Sequence, residues 1–316
     1  MKEKKNSHIK IQKSSPCDAL ICSFDLYMES ARGLSPHTRK LYCSYVRFFL
    51  LFQLKEKKRI NSIRAKDVIK FILSYSQDGG IPRVQRMIYS LRAFFRFLKQ
   101  TQGLKEDLVN SVPSAVVWKH STFPVYLSIQ EIQRLLSSCN RASDVGLRDF
   151  AVLMLLVQLG LRACEVCRLT LNDIDWHKSE IIIRGKGSTE TRFPIFCDLG
   201  NALVAYLRCR PNCSNRSFFI CVGQPLRGFK SSSTVRNIFR RALRRAGLNP
   251  EKKGTHVLRH SFATQMLQHG ATYQEIAAIL RHKSISTTAI YAKVDFDELR
   301  KIALPWPDNL KDGGVL

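Results

Sequence analysis

Between Asp18 and Gln100, apolar residues return every third or fourth position in four successive segments. That period leaves helices as the regular structure the first third of the chain can build. Asp18 to Ala31 places Leu20, Ile21, Phe24 and Met28 on one side and stops at Gly33. Ser35 and Pro36 open a second helix, with Leu41, Tyr42, Tyr45, Phe48, Phe49 and Phe52 turned to a core and Arg39, Lys40 and Arg47 elsewhere. A third covers Ala65 to Ser76, and a fourth, Pro82 to Gln100, carries Met87, Ile88, Leu91, Phe94, Phe95 and Leu98. Residues 18–103 therefore read as a four-helix domain. Arg83, Arg86, Arg92, Arg96 and Lys99 interleave with the last apolar set, with no acidic residue among them. This makes a basic stripe suited to phosphate contact.

The charge balance extends that stripe to the whole chain. Fifty-one Lys and Arg against 25 Asp and Glu leave a net charge of +26 and a pI near 10.0, which favours a polyanionic partner, with nucleic acid the leading candidate. The excess is +14 for residues 1–120 and +12 for the remainder, so both halves are expected to touch it. A length of 316 residues suits two domains, preceded by a flexible basic arm over residues 1–17. Ten scattered cysteines and a charged start without an apolar core suit free thiols in a reducing cytosol, with the nucleoid as the place of work. Cys164 and Cys167 form a CxxC inside an apolar helical pattern with no second pair, which favours buried thiols over a metal site. No apolar run approaches the ~20 residues a membrane span needs.

Residues 104–126, with Pro113 and Pro124 and little periodicity, read as an interdomain linker. A catalytic domain over 127–294 opens with the Ser128/Glu131 capping box ahead of IQEIQRLLSSC. The almost wholly apolar segment Phe150 to Leu159 is a buried central helix closed by Gly160. Arg162 follows at once, with Glu165 placed to fix its guanidinium. The period then changes: Ile181, Ile182 and Ile183, the turn Gly185-Lys186-Gly187, and Arg192 to Ile195 make a β-hairpin with Lys186 near its tip. Helices are expected over 198–210 and 231–246, the second rich in Arg236, Arg240, Arg241, Arg244 and Arg245 and laid along DNA. Residues 295–316 form a tail with a short amphipathic segment, Phe296 to Leu304.

The chemistry concentrates in THVLRHSFATQMLQHGATYQEIAAILRHKSISTTAIY, residues 255 to 291. His256 and Arg259 share one helical face; His282 follows a second short helix, and Tyr291 lies in a third. If these meet Arg162 and Lys186, several cationic donors surround one phenol, without the paired carboxylates a two-metal nuclease needs. There is also no GxxxxGK[ST] loop for a nucleotide. The pattern fits phosphoryl transfer that requires no cofactor or metal. The cations neutralise a scissile phosphodiester, Tyr291 attacks, and Lys186 protonates the leaving 5′-oxygen.

With QLGLRACEVCRLTLNDIDW and IIIRGKGSTETRFPI, this stretch resembles the tyrosine recombinases of the phage integrase and Xer type over nearly the whole chain. The resemblance places the family's first arginine on Arg162 with its acidic companion Glu165, the hairpin lysine on Lys186, the HxxR pair on His256 and Arg259, the second histidine on His282 and the nucleophile on Tyr291. It implies a mainly α fold with a small β-hairpin or sheet. An N-terminal four-helix core-binding domain and a C-terminal α+β catalytic domain would close as a two-domain clamp on duplex DNA. It further implies a 3′-phosphotyrosine intermediate, no ATP, and a homotetramer on synapsed DNA, alone or with a related partner recombinase. The tail would dock on a neighbouring protomer or pack on its own domain. An accessory DNA-binding subunit that does not cut and a type IB-like topoisomerase are the alternatives. Arg281, directly before His282, departs from the glycine usual in relatives.

Overall fold

Ser35 caps the second helix by accepting the Thr38 backbone N–H at 3.4 Å, and Pro36 supplies a fixed φ at the first helical position. Ser128, Ser143, Ser231 and Thr272 cap later helices in the same way, and we describe the fold in a computed structural model. It describes residues 16–58, 60–77, 80–102, 108–113, 124–185, 190–282, 284, 287, 288, 290 and 291. The chain divides into two compact units, Met1–Lys119 and His120–Leu316. Among the described residues no helix is long and apolar enough to cross a membrane.

The first unit packs α1 (Pro16–Ser30), α2 (Pro36–Lys55), α3 (Ala65–Ser76) and α4 (Ile81–Gln102) around one aromatic core. Phe24 and Phe94 meet edge to face at 5.3 Å between centroids, as do Phe49 and Phe71 at 5.2 Å and Phe49 and Phe95 at 5.6 Å, the arrangement ring quadrupoles favour. Two local features do not show as a period in the sequence. The span read as linker contains a further helix, α5 (Leu108–Ser111), because Leu108 and Val112 lie four apart and both bury in this core. Arg92 does not stand free on the basic stripe, since its Nη2 donates to the Val112 carbonyl at 2.9 Å and ties that segment to α4. Arg83, Arg86, Arg96 and Lys99 are exposed, with the Arg83 guanidinium 4.9 Å over the Tyr75 ring.

The second unit is built on α7 (Asp144–Gln158), whose Ala151 to Leu156 are buried, flanked by α6 (Ile129–Ser137) and the short α8 (Ala163–Arg168). The expected hairpin is present as β2 (Glu180–Arg184) and β3 (Glu190–Pro194), paired antiparallel with Ile182 opposite Arg192. A two-residue β1 (Ile174–Asp175), too short to show as a period, adds an edge. Ile181, Ile183 and Phe193 point inward, which holds the sheet against the helical core. The helices α9 (Cys197–Cys209), α10 (Ser232–Arg245), α11 (His256–Gln268) and α12 (Tyr273–Ile279) complete the unit. None of the ten cysteines is in a disulfide, but Cys164 is exposed, not buried: the six-residue α8 turns Glu165 and Val166 inward and leaves Cys164 outside. Lys186, residues 1–15 and the tail beyond Tyr291 lie outside the described residues.

Candidate active site

Three helix ends meet at Gly160. Its φ of +56° is a conformation open to glycine, and an added Cβ would stand 2.8 Å from Phe262 Cδ1 and 2.9 Å from Leu280 Cδ2. The end of α7 can therefore come close to α11 and to the residue that follows α12. Arg259, only 3 % exposed, exploits this junction: Nη1 donates to the Gly160 carbonyl at 2.6 Å, and Nη2 to the Leu280 carbonyl. Burial and then Arg162 lower its pKa to about 10, which leaves it charged at neutral pH.

Arg162 is the N-cap residue of α8, and Glu165 answers it twice. The Arg162 backbone N–H donates to Oε2 at 2.8 Å and its Nη1 to Oε1 at 3.0 Å, so the pairing expected from their spacing is present. The buried carboxylate also takes Arg281, whose Nη2 donates to Oε2 at 2.6 Å. Arg281 sits at φ +54° with its guanidinium 4.9 Å over the Phe193 ring of β3. Its backbone carbonyl accepts from Arg162 Nη2 at 3.4 Å. One carboxylate thus holds two guanidiniums and ties α8 to the segment that carries His282.

Around these cations the histidines are pushed toward their neutral forms. His256 opens α11 and is solvent-accessible, yet protein crowds one side of it; lost hydration, then Arg259 and Arg162, lower its pKa. His282 drops to about 4 by burial, Arg259 and Arg162, while its Nδ1 lies 2.8 Å from the buried Thr288 Oγ1. Tyr291 is 1 % exposed and has 3₁₀ geometry together with Ile290. Burial pushes its phenol up to about 12, against a smaller opposing pull from Arg259. Its hydroxyl lies 2.9 Å from His260 Nδ1, and the rings meet edge to face at 5.6 Å. His260 is half-buried and lowered to about 4 by burial, then His256, Arg259 and Lys252.

Arg162, Glu165, His256, Arg259, His282 and Tyr291 therefore come together in one cluster of the second unit. His260, Arg281 and Thr288 join it. His260 was legible in principle, since it stands one helical turn after His256 on the same helix. Of the other proposed DNA contacts, Arg236, Arg240, Arg241 and Arg244 are all exposed on α10, and Arg241 also reaches Asp149 at 3.4 Å. Asp149 is buried beside Arg148, 2.7 Å away, a pair inside α7 that the apolar reading of that helix did not register.

Two helical units, a small sheet, and a buried tyrosine among arginines and histidines define the class of tyrosine-dependent DNA strand transferases. The chain belongs to the phage integrase family: residues 126–298 match the Phage integrase family and residues 21–102 match "Phage integrase, N-terminal SAM-like domain". It is 38 % identical over 287 residues, 90 % of this chain and 70 % of the relative, to the integrase/recombinase y4rA of Sinorhizobium fredii. It is 32 % identical to tyrosine recombinase XerC of Syntrophus aciditrophicus, covering 90 % of this chain and 96 % of that protein. Its fold matches a XerH site-specific recombinase crystallised on its difH substrate, with a TM-score of 0.69 at 21 % identity over 92 % of this chain and 85 % of that one.

Proposed function

We propose that this protein is a site-specific recombinase that cleaves and rejoins double-stranded DNA one strand at a time, with Tyr291 as the nucleophile. The observation that carries the reading is a single phenol, Tyr291, within the field of Arg259 and hydrogen-bonded to an imidazole, in a site whose one carboxylate is already occupied by two guanidiniums. Arg162, Arg259 and His256 hold the non-bridging oxygens of the scissile phosphate, where charge is greatest in the transition state. His282, braced by Thr288, completes that shell. Lys186, between the ends of β2 and β3, delivers the proton to the leaving 5′-oxygen.

The excess of +14 and +12 over the two parts of the chain supports contact with duplex DNA from both units, with Arg83, Arg86, Arg96, Lys99, Arg236, Arg240 and Arg244 against phosphates. Two synapsed sites require four protomers, so the working form is a homotetramer or a tetramer shared with a related recombinase, acting on the nucleoid in the cytoplasm. The test is a nicked suicide duplex carrying the site recovered by footprinting or selection. Wild type should trap a covalent protein–DNA band, and Tyr291→Phe should bind the duplex but trap none. A covalent band with Tyr291→Phe, or none with wild type, overturns the reading.

A further inference from the structure

We infer that His260 is a catalytic residue of this site: its Nδ1 receives the proton that the Tyr291 hydroxyl gives up as the oxygen attacks phosphorus. The inference rests on the proposed role of Tyr291. Its geometry is direct, because Nδ1 and the phenol oxygen are 2.9 Å apart with the rings edge to face, a distance from which a proton passes without movement of either ring.

The other basic groups near the phenol are engaged elsewhere among the described residues. Both Glu165 oxygens accept from guanidiniums, Oε1 from Arg162 and Oε2 from Arg281. His282 turns its Nδ1 to Thr288. His256 has its ring centroid 6.5 Å from that of His260, the imidazole that meets the Tyr291 ring. A phenol that donates to Nδ1 also fixes the tautomer: Nδ1 is bare and the ring proton is on Nε2.

The charged and titratable groups that face His260 are His256 and Arg259 on its own helix, Lys252 on the loop before it, and His282 and Tyr291 from the closing segment. Burial, and after it the neighbouring charges, hold the ring neutral in the free protein, which leaves it able to accept. They also make the transfer unfavourable until a phosphate arrives. Its negative charge offsets Arg259, His256 and Lys252 and raises the affinity of Nδ1 for the proton. The nucleophile is thus idle without substrate and activated by it.

The step balances. The Oη–H bond breaks and its electron pair forms the Oη–P bond. The P–O5′ bond breaks with its pair on O5′, which takes a proton from Lys186. The proton from Oη ends on Nδ1, and rejoining runs the same path backwards.

The experiment measures single-turnover adduct formation on the footprinted duplex with either oxygen or sulfur at the bridging 5′ position. A thiolate leaves without a proton, so the sulfur substrate removes the need for a donor to the leaving group and keeps the need for an acceptor at the nucleophile. His260→Asn places an oxygen near Nδ1 but cannot take up a proton. It should bind the duplex while forming adduct roughly 10²- to 10⁴-fold more slowly on both substrates, the usual range for a lost acid or base. Lys186→Ala should be slow on oxygen and restored on sulfur. Wild type on the sulfur substrate should speed up with pH as one group loses its proton, and His260→Asn should be flat.

An Asn variant within about threefold of wild type, one that keeps the wild-type pH profile, or one restored by sulfur overturns the inference and leaves the Tyr291 reading standing. If that variant does not fold, the wild-type sulfur profile decides alone: a flat profile overturns it. Wild type without any adduct overturns the Tyr291 reading and this inference together.

Discussion

Glu165 is the residue whose charge the site can least afford to lose. Its side chain is 2 % exposed and takes three donors: the N-cap N–H of α8 at 2.8 Å, Arg162 Nη1 at 3.0 Å and Arg281 Nη2 at 2.6 Å. Glu165→Gln keeps the shape and removes the charge. Its one amide oxygen serves best at the Oε2 position, where two donors converge, which turns the NH₂ against Arg162 Nη1. Breaking a buried pair by neutralising one partner costs about 3–5 kcal/mol. Arg162 is 32 % exposed against 11 % for Arg281, so the Arg162 share is screened toward the surface-pair range of at most about 1 kcal/mol. The expected loss is therefore about 2–4 kcal/mol, or roughly 5–15 °C in Tm for a unit of this size. Circular dichroism melts at low salt and at about 0.5 M salt check both the size and the burial, since a buried pair responds little to screening. A cycle with Arg281→Gly should return a coupling of about 1–3 kcal/mol. A Glu165→Gln protein that melts within about 2 °C of wild type would refute the reasoning.

Arg281→Gly alone sets two effects against each other. It relieves about 1–2 kcal/mol of left-handed backbone cost at φ +54° but removes the pair with Glu165 and the stack on Phe193, so urea denaturation should show a net loss of about 1–2 kcal/mol. Gly160→Ala should cost about 1–3 kcal/mol by the same measurement, through its positive φ and the approach of Phe262 and Leu280. Acid should also unfold the second unit early. His260 and His282 lie at about 4 in the folded protein against an ordinary 6.5, so between these values the unfolded chain binds more protons. Stability is then complete above about pH 6.5 and falls as pH drops toward 4, by about 1–2 kcal/mol per ring after solvent screening, and His260→Asn should flatten half of that slope in pH-dependent melts.

Features that repeat were readable in the sequence, and those that depend on one contact were not. The aromatic period of α1 to α4 placed Phe24, Phe49 and Phe94 in the core, and the switch to Ile181–Ile183 placed the hairpin. The Arg162–Glu165 pair follows from an N-cap with an acid three residues on, a local pattern. α5 escaped because four residues carry no period, and Arg92 with it, since its partner is a carbonyl 20 positions away. His260 escaped because nothing local distinguishes an imidazole one turn after His256 from a packed one; only the return of Tyr291, 31 positions on, does so. The same holds for Arg281, which the sequence marks as unusual while only the fold shows its guanidinium on the carboxylate of Arg162.

The way the charges are held bears on why such a site would favour phosphate so strongly. Arg162 and Arg281 share one carboxylate, and Arg259 is held by the Gly160 and Leu280 carbonyls, dipoles that orient a guanidinium without cancelling its charge. Burial, and after it the neighbouring charges, push the three histidines toward their neutral forms, so they add no further repulsion in the free protein. Folding thus bears the cost of fixing two uncompensated positive charges in place before any substrate is present. A phosphodiester then meets donors that need no reorganisation, and its charge relieves repulsion already built in, both of which favour the transition state over water. The same relief makes each imidazole more basic at the moment the reaction needs a proton acceptor. A surface lysine cluster of equal charge could attract DNA, but with no buried repulsion to relieve it could not couple the arrival of phosphate to the activation proposed for Tyr291.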